Sequence, residues 1–261
     1  MNRRTFLTLV SAWSSLVLVR DARANSPAGG AGSGSALGML RRADSIRGPA
    51  RPWSFSLRIV DYLDSQPQST SQFRVYVRGA HEDVYRSLVL WTAPDSDRGK
   101  AMLMDGNVYW MYSPGTRNPI RISAAQRFSG LASSADVAST NFEADYNIAS
   151  MSTDTIDQTD AYRLDLDAKS DEVAYHKIEL WVNQATCAPM QARYYAVSGR
   201  LLKSARFGGF RSALDESRPH EIVIADGVRA NHTTRMAYSN MSFDEKPAYM
   251  YQKDFLSKVT E

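Results

Sequence analysis

Residues able to do covalent or metal chemistry are few and scattered along this chain. It has four histidines, His81, His176, His220 and His232. No two stand at i and i+4, the helical spacing that offers two imidazoles to one metal ion. No G-x-S-x-G segment is present to seat a nucleophilic serine on a strand-to-helix elbow. The single cysteine, Cys187, excludes an internal disulfide and any cysteine-rich metal site. It lies in a turn over 183–189 with no base beside it in sequence, which reads as an inert thiol. Asp165 and Asp167 share one face of a strand, and Asp95 and Asp97 share a loop. Such pairs can do general acid–base work, but they are common on solvated edges and turns, and that structural reading is the favoured one. Gly208-Gly209 between Arg206 and Arg211 fits an anion site or, more simply, a hairpin turn. The expectation is a non-enzyme with no metal and no cofactor.

Composition points the same way. The chain has 261 residues, 43% hydrophobic and 23% charged, which fits a folded globular domain. Its net charge of +3 is too small to argue for nucleic acid. Much of that charge sits at the N-terminus. Residues 1–24 combine Arg3 and Arg4, an apolar stretch over 6–19, and Ala22-Arg23-Ala24, the pattern of an export signal cleaved near Ala24. Arg3-Arg4-Thr5-Phe6-Leu7 resembles a twin-arginine signal, while paired arginines also occur in ordinary Sec signals. The stretch is shorter than the about 20 apolar residues a spanning helix needs. Without residues 1–24 the chain carries 27 basic and 27 acidic residues, so the expected mature protein is neutral. No cysteine follows the signal, so no lipid anchor is expected and the protein should be soluble in the periplasm.

Residues 25–37 (NSPAGGAGSGSAL) read as a flexible Gly/Ser/Ala linker, leaving 38–261 as one domain. Alternation with period two dominates that domain. Strands are expected at 53–60, 73–78, 84–92, 100–104, 108–112, 161–167, 175–183, 190–197, 201–207, 222–225 and 233–238. Residues 64–71 (DSQPQSTS) read as a polar connection. Short turns between strands imply antiparallel meanders. Helices are expected at 37–45, 123–132 and 135–142, with Ser123 and Ser134 as N-caps, and a terminal turn at 253–259.

The hairpin around Asp105–Asn107 departs from simple alternation. Met102, Met104, Tyr109 and Met111 fall on one face; Leu103, Val108, Trp110 and Tyr112 fall on the other. Both faces are apolar, so both must be covered. One cover is the ordinary core, and the other is a helix, a ligand or both. Methionines suit a surface that adapts to variable apolar shapes.

Three segments taken together resemble the outer-membrane lipoprotein-sorting family, the LolA-like periplasmic lipoprotein carriers. Asp105-Gly106-Asn107-Val108-Tyr109-Trp110-Met111-Tyr112-Ser113-Pro114 followed by Arg117-Asn118-Pro119-Ile120-Arg121-Ile122 resembles that family's strand and turn. Ile178-Glu179-Leu180-Trp181-Val182-Asn183, Ala188-Pro189-Met190 and Ser198-Gly199-Arg200-Leu201-Leu202-Lys203 resemble its "E.WVD…P…G.L.K" hairpin. Thr233-Thr234-Arg235-Met236 and Tyr251-Gln252-Lys253-Asp254-Phe255-Leu256 resemble its closing segments. The chain departs from the family over 128–138, where only Asp136 keeps a position of the acidic-aromatic "FTYEDL" helix.

The resemblance implies a mainly β fold: a strongly curved antiparallel sheet forming a half-open barrel, with a few short covering helices. It implies an apolar groove drawn from Trp53, Phe55, Leu57, Met102, Met104, Tyr109, Trp110, Met111, Tyr112 and Trp181, under a lid containing Phe128, Leu131 and Val137. The implied function is non-enzymatic carriage of lipid or lipoprotein acyl chains for outer-membrane sorting, by a monomer. An inner-membrane exporter or outer-membrane acceptor is the implied protein partner, and nucleic acid is not. The alternative is an accessory protein docking on an envelope exporter through its sheet. Burying about 15 methylenes at about 0.8 kcal/mol each would give about 12 kcal/mol, close to nanomolar affinity. A carrier that must release its cargo should bury less, or open first.

Overall fold

A computed structural model describes residues 35–81, 84–138 and 141–258. The proposed export signal and most of the linker lie outside the described residues. The first element, α1 (Ala36–Arg47), starts where the Ser35 side chain accepts a hydrogen bond from the Gly38 amide at 3.1 Å. Met39, Leu40, Ala43 and Ile46 form its buried stripe.

Two-residue alternation then builds most of the chain. The strands are β1 (Trp53–Leu63), β2 (Gln66–His81), β3 (Val84–Ala93), β4 (Ala101–Asp105), β5 (Val108–Tyr112) and β6 (Ile120–Ile122). After them come β7 (Arg127–Ser129), β8 (Ala132–Ser133), α2 (Ser134–Ala138) and α3 (Phe142–Asp145). The second half holds β9 (Tyr146–Ile156), β10 (Thr159–Ala168), β11 (Lys177–Asn183), β12 (Pro189–Tyr195) and β13 (Leu201–Gly208). It continues with β14 (Arg211–Ala213), β15 (Glu216–Arg218), β16 (Glu221–Asp226) and β17 (His232–Phe243). Two 3-10 segments, Ala248–Tyr251 and Lys253–Lys258, follow.

Among the described residues, thirteen strands form one antiparallel sheet in the order β6-β5-β4-β3-β2-β1-β17-β16-β13-β12-β11-β10-β9. The sheet is curved and not closed. Its end strands β6 and β9 do not pair with each other. The chain between them, residues 123–145, holds β7, β8, α2 and α3.

Each face of the sheet has its own apolar cluster. The larger, concave one gathers residues from strands across the whole sheet together with Leu40 and Ala43 of α1 and Ala135, Val137 and Phe142. The smaller one lies on the outer face of β3 and β4, where Leu88, Leu90, Ala101 and Leu103 pack with Tyr251 and Leu256 of the 3-10 segments. That is why the hairpin of β4 and β5 is apolar on both sides. Protein covers both of its faces.

Four local expectations need correcting. The helix expected at 135–142 is instead two: α2 ends at Ala138, and Asn141, extended at φ −102° and ψ 111°, caps the separate α3. Residues 66–71 are strand, not connection; Asp64 and Ser65, at φ 52° and 63°, make a two-residue turn of the kind that matches strand twist. Residues 123–132 are not a helix. Gly130, at φ 55°, instead turns the chain between β7 and β8. The cap of α2 is Ser133, not Ser134. Its Oγ accepts from the Asp136 amide at 3.3 Å, while the Asp136 carboxylate accepts from the Ser133 amide at 2.7 Å. No helix among the described residues is long and apolar enough to cross a membrane.

Candidate ligand groove and its cover

Strand parity decides which candidates line the concave wall. Trp53, Phe55 and Leu57 alternate inward along β1, each at 1% exposure. Met102 and Met104 of β4 and Tyr109 of β5 continue that wall, and half-buried Met111 packs against it. The same parity removes three candidates. Trp110 and Tyr112 face outward and pack against the outer cluster, where the Lys253 ammonium lies 4.1 Å from the Trp110 ring centre. Trp181 is also outward, because its neighbours Leu180 and Val182 take the inner positions of β11. Its indole N–H donates to Asp154 at 2.7 Å, which holds that carboxyl below its ordinary range. Trp181 is buried and Trp110 and Tyr112 are half-buried, but they do not share a common groove.

All three lid candidates belong to the segment that covers the wall. The Phe128 ring centre lies 4.6 Å from that of Trp91 and 5.2 Å from that of Phe73. Val137 is buried, and half-buried Leu131 packs against the same cluster. Between the wall and this cover lies a cavity of about 20 Å³, bounded by Tyr109, Asp136, Phe142, Tyr146, Tyr175 and Tyr194, with room for about one water. A rim pocket of about 520 Å³ lies beside it, and Val173, Ala174 and Tyr175 line both.

The cover is fastened to the sheet at a few polar points. The first is a buried ion pair: Lys203 of β13 donates to Asp136 of α2 and, at 3.0 Å, to the Leu131 carbonyl. The Tyr175 hydroxyl lies 3.0 Å from both Asp136 oxygens. At the second, Thr234 of β17 donates to Asp61 of β1 at 2.6 Å and accepts from the Leu131 amide at 2.8 Å. His232 Nε2 lies 3.0 Å from the same Asp61 carboxylate. A Cβ on Gly130 would stand 2.5 Å from Asp61 Oδ1 and from Thr234 Oγ1, so only glycine fits this approach.

The third point joins α1 to α3. Asp44 accepts from the Phe142 and Glu143 amides at 3.2 and 2.9 Å, and the Arg47 guanidinium lies 4.0 Å from the Phe142 ring centre. Burial raises the Asp44 carboxyl against the pull of Arg47. Burial and then the Asp44 charge push Asp145 up to about 6. Burial also raises the Tyr109 and Tyr175 phenols, so these groups stay neutral.

Residue type and spacing alone point to no catalytic role for Lys203, Tyr175 or Thr234. A signal for Lys203 was available: Lys203, Ala205 and Phe207 share one face by alternation, and a lysine on a core face needs an anion. The partner of that lysine depends on the fold and was not readable. Cys187 is half-buried, and burial raises its pKa, which disfavours the reactive thiolate. Among the described residues no cluster of histidine, cysteine and carboxylates has the makings of a metal site.

Comparison with known proteins agrees with this architecture. A family model described as that of an uncharacterized protein matches residues 83–258. No curated protein sequence matches significantly. A crystal structure of a LolA superfamily protein from Nitrosomonas europaea superposes with a TM-score of 0.78 at 34% identity, covering 84% of this chain and 98% of that one. Two further crystal structures share the fold. One, described as an outer membrane lipoprotein-sorting protein domain from Vibrio parahaemolyticus, gives TM-score 0.73 at 18% identity, covering 85% and 97% of the two chains. The other, a DUF1329 family protein from Desulfovibrio piger, gives 0.73 at 19%, covering 84% and 97%. The half-open sheet, its apolar concave wall and the match to the Nitrosomonas protein along nearly all of that chain identify this protein as a member of the LolA superfamily.

Proposed function

We propose that this chain is an exported carrier that holds lipid or lipoprotein acyl chains against its concave wall in the periplasm. It would act as a monomer, receive cargo from an inner-membrane exporter and pass it to an outer-membrane acceptor. In this reading residues 1–24 are its export signal. The observation that carries the proposal is the cover. A continuous apolar wall is occupied by apolar side chains of one short segment, and that segment is fastened by separate polar contacts. An acyl chain can take the place of Phe128, Ala135, Val137 and Phe142 if those contacts release.

Such a cover also tunes affinity. The apparent dissociation constant rises by the inverse of the open fraction. Closure worth about 4 kcal/mol would turn an about nanomolar intrinsic affinity into an about micromolar one. That range suits cargo that must be handed on. No covalent step is required.

Mass spectrometry of lipid extracted from protein gently purified from the envelope tests the proposal. Stoichiometric acyl lipid is expected. A lipid-free protein that forms a stable exporter complex would replace the carrier reading with that of an accessory protein.

A further inference from the structure

The ion pair that fastens the cover has an asymmetry with consequences for the ligand. Lys203 sits on the sheet wall with its side chain 7% exposed, opposite Tyr194 in register. Its ammonium lies 5.0 and 5.5 Å from the ring centres of Tyr175 and Tyr194. Its two hydrogen-bond acceptors, the Leu131 carbonyl and the Asp136 carboxylate, both belong to the cover. So do the Ser133 amide and hydroxyl that hold Asp136. When the cover lifts, the carboxylate leaves with it. The Lys203 ammonium on β13 and the Tyr175 hydroxyl on the connection before β11 stay behind as two donors aimed at one position.

A neutral alkyl chain entering the groove would strand that ammonium in apolar surroundings, which is costly for an unpaired charge. A carboxylate at the head of the chain would replace Asp136 in kind. The geometry fits a flat, two-oxygen anion, because Tyr175 now lies equally close to both oxygens of Asp136. The small cavity bounded by Asp136, Tyr175 and Tyr194 reaches Tyr109, which pairs with Met104 on the apolar wall. The rim pocket, lined by Tyr175 and Leu202, opens on the other side. A chain headed at Lys203 can therefore run inward along apolar side chains.

We propose that the groove takes a long-chain fatty acid whose carboxylate binds Lys203 and Tyr175 in place of Asp136, and that Asp136 is the built-in competitor for that position. This rests on the carrier reading and adds to it a ligand class and the groups that select it.

The test compares hexadecanoate, hexadecan-1-ol and hexadecyl phosphate by calorimetry on the wild-type mature chain, Asp136→Asn and Lys203→Met. A charge-assisted contact predicts that the acid binds about tenfold or more tightly than the alcohol. Lys203→Met should abolish the preference for the acid over the alcohol, and the alcohol should bind no more weakly than it does to the wild type. Asp136→Asn should tighten the acid by at least about tenfold, and the alcohol less. Equal binding of acid and alcohol in both the wild type and Asp136→Asn would overturn the carboxylate site and leave the carrier reading standing. Tighter binding of the phosphate than of the acid would also overturn it. Binding of none of the three would overturn both.

Should Lys203→Met fail to fold, carbon-13 NMR of carboxyl-labelled hexadecanoate on the wild type gives the answer. A bound carboxyl that stays ionised below the pH at which the free acid titrates supports the site. One that titrates like the free acid overturns it.

Discussion

Removing the Asp136 carboxylate should release the cover without unfolding the sheet. In Asp136→Ala the Lys203 ammonium stays buried and loses its anion. Breaking a buried pair from one side costs about 3–5 kcal/mol. The Tyr175 hydroxyl and the Ser133 amide lose their acceptor as well. The molecule can avoid most of that cost by lifting the cover, so the free energy of closure should limit the loss. Hydrogen exchange reads this directly. The Leu131 amide donates to Thr234 of β17 at 2.8 Å, and the Phe142 and Glu143 amides donate to Asp44 of α1 at 3.2 and 2.9 Å, so all three lose their acceptors when the segment lifts. Their protection should fall by about two to four decades, while amides of β11 and β13 keep theirs. Adding Lys203→Met should restore at least half of the lost protection, because no charge is then left unpaired. Unchanged protection in Asp136→Ala would refute the fastening role. An equal loss in β11 and β13 would show that the segment is an integral part of the core and not a cover.

Gly130→Ala should loosen the same segment from the other side. The left-handed backbone costs an alanine about 1–2 kcal/mol, and its Cβ would crowd Asp61 and Thr234. Faster exchange at Leu131 and a lower urea midpoint check this. Asp145 gives a pH signature. Its folded pKa of about 6 lies above the unfolded value of 3.8, so the folded state keeps a proton that the unfolded chain has released. Its contribution to stability therefore falls as pH rises from about 4 to about 6. Asp145→Asn should remove that slope and stabilise the protein at pH 7 by up to about 3 kcal/mol in urea titrations; an unchanged slope would contradict the assignment. Buried Arg218 donates to the Ser45 and Ile46 carbonyls at the end of α1, and to those of Ala213 and Leu214. Arg218→Met should cost about 3 kcal/mol and speed exchange over residues 36–47; preserved protection there would contradict its role.

The strands were legible where one face is apolar. Trp53, Phe55 and Leu57, or Ile178, Leu180 and Val182, alternate because one side of the sheet is packed and the other is not. β9 was not legible, since it is an end strand with most of its side chains exposed, and Ser and Thr fill its sequence. The extension of β2 through Pro67 was hidden for the same reason: residues 66–70 are exposed on both faces. The doubly apolar hairpin correctly implied two covers, but nothing local to it could say that the C-terminal 3-10 segments are one of them. Outward Trp181 shows the limit of reading function from residue type, because its burial comes from the convex side, beside Asp154 and Arg193. Periodicity thus separates the two faces of these strands, but it does not say which face is the concave one. The fastenings of the cover join residues up to 173 positions apart, and only the fold brings them together.

Photo-crosslinking with a hexadecanoate carrying a diazirine near its methyl end tests the central claim most directly. The account predicts that tryptic mapping finds adducts on the concave wall and cover, at Met102, Met104, Tyr109 or Phe128, and that unlabelled hexadecanoate competes them away. Adducts confined to the outer face, at Trp110, Tyr112 or Trp181, would contradict it, as would the absence of competable labelling in both the wild type and Asp136→Asn.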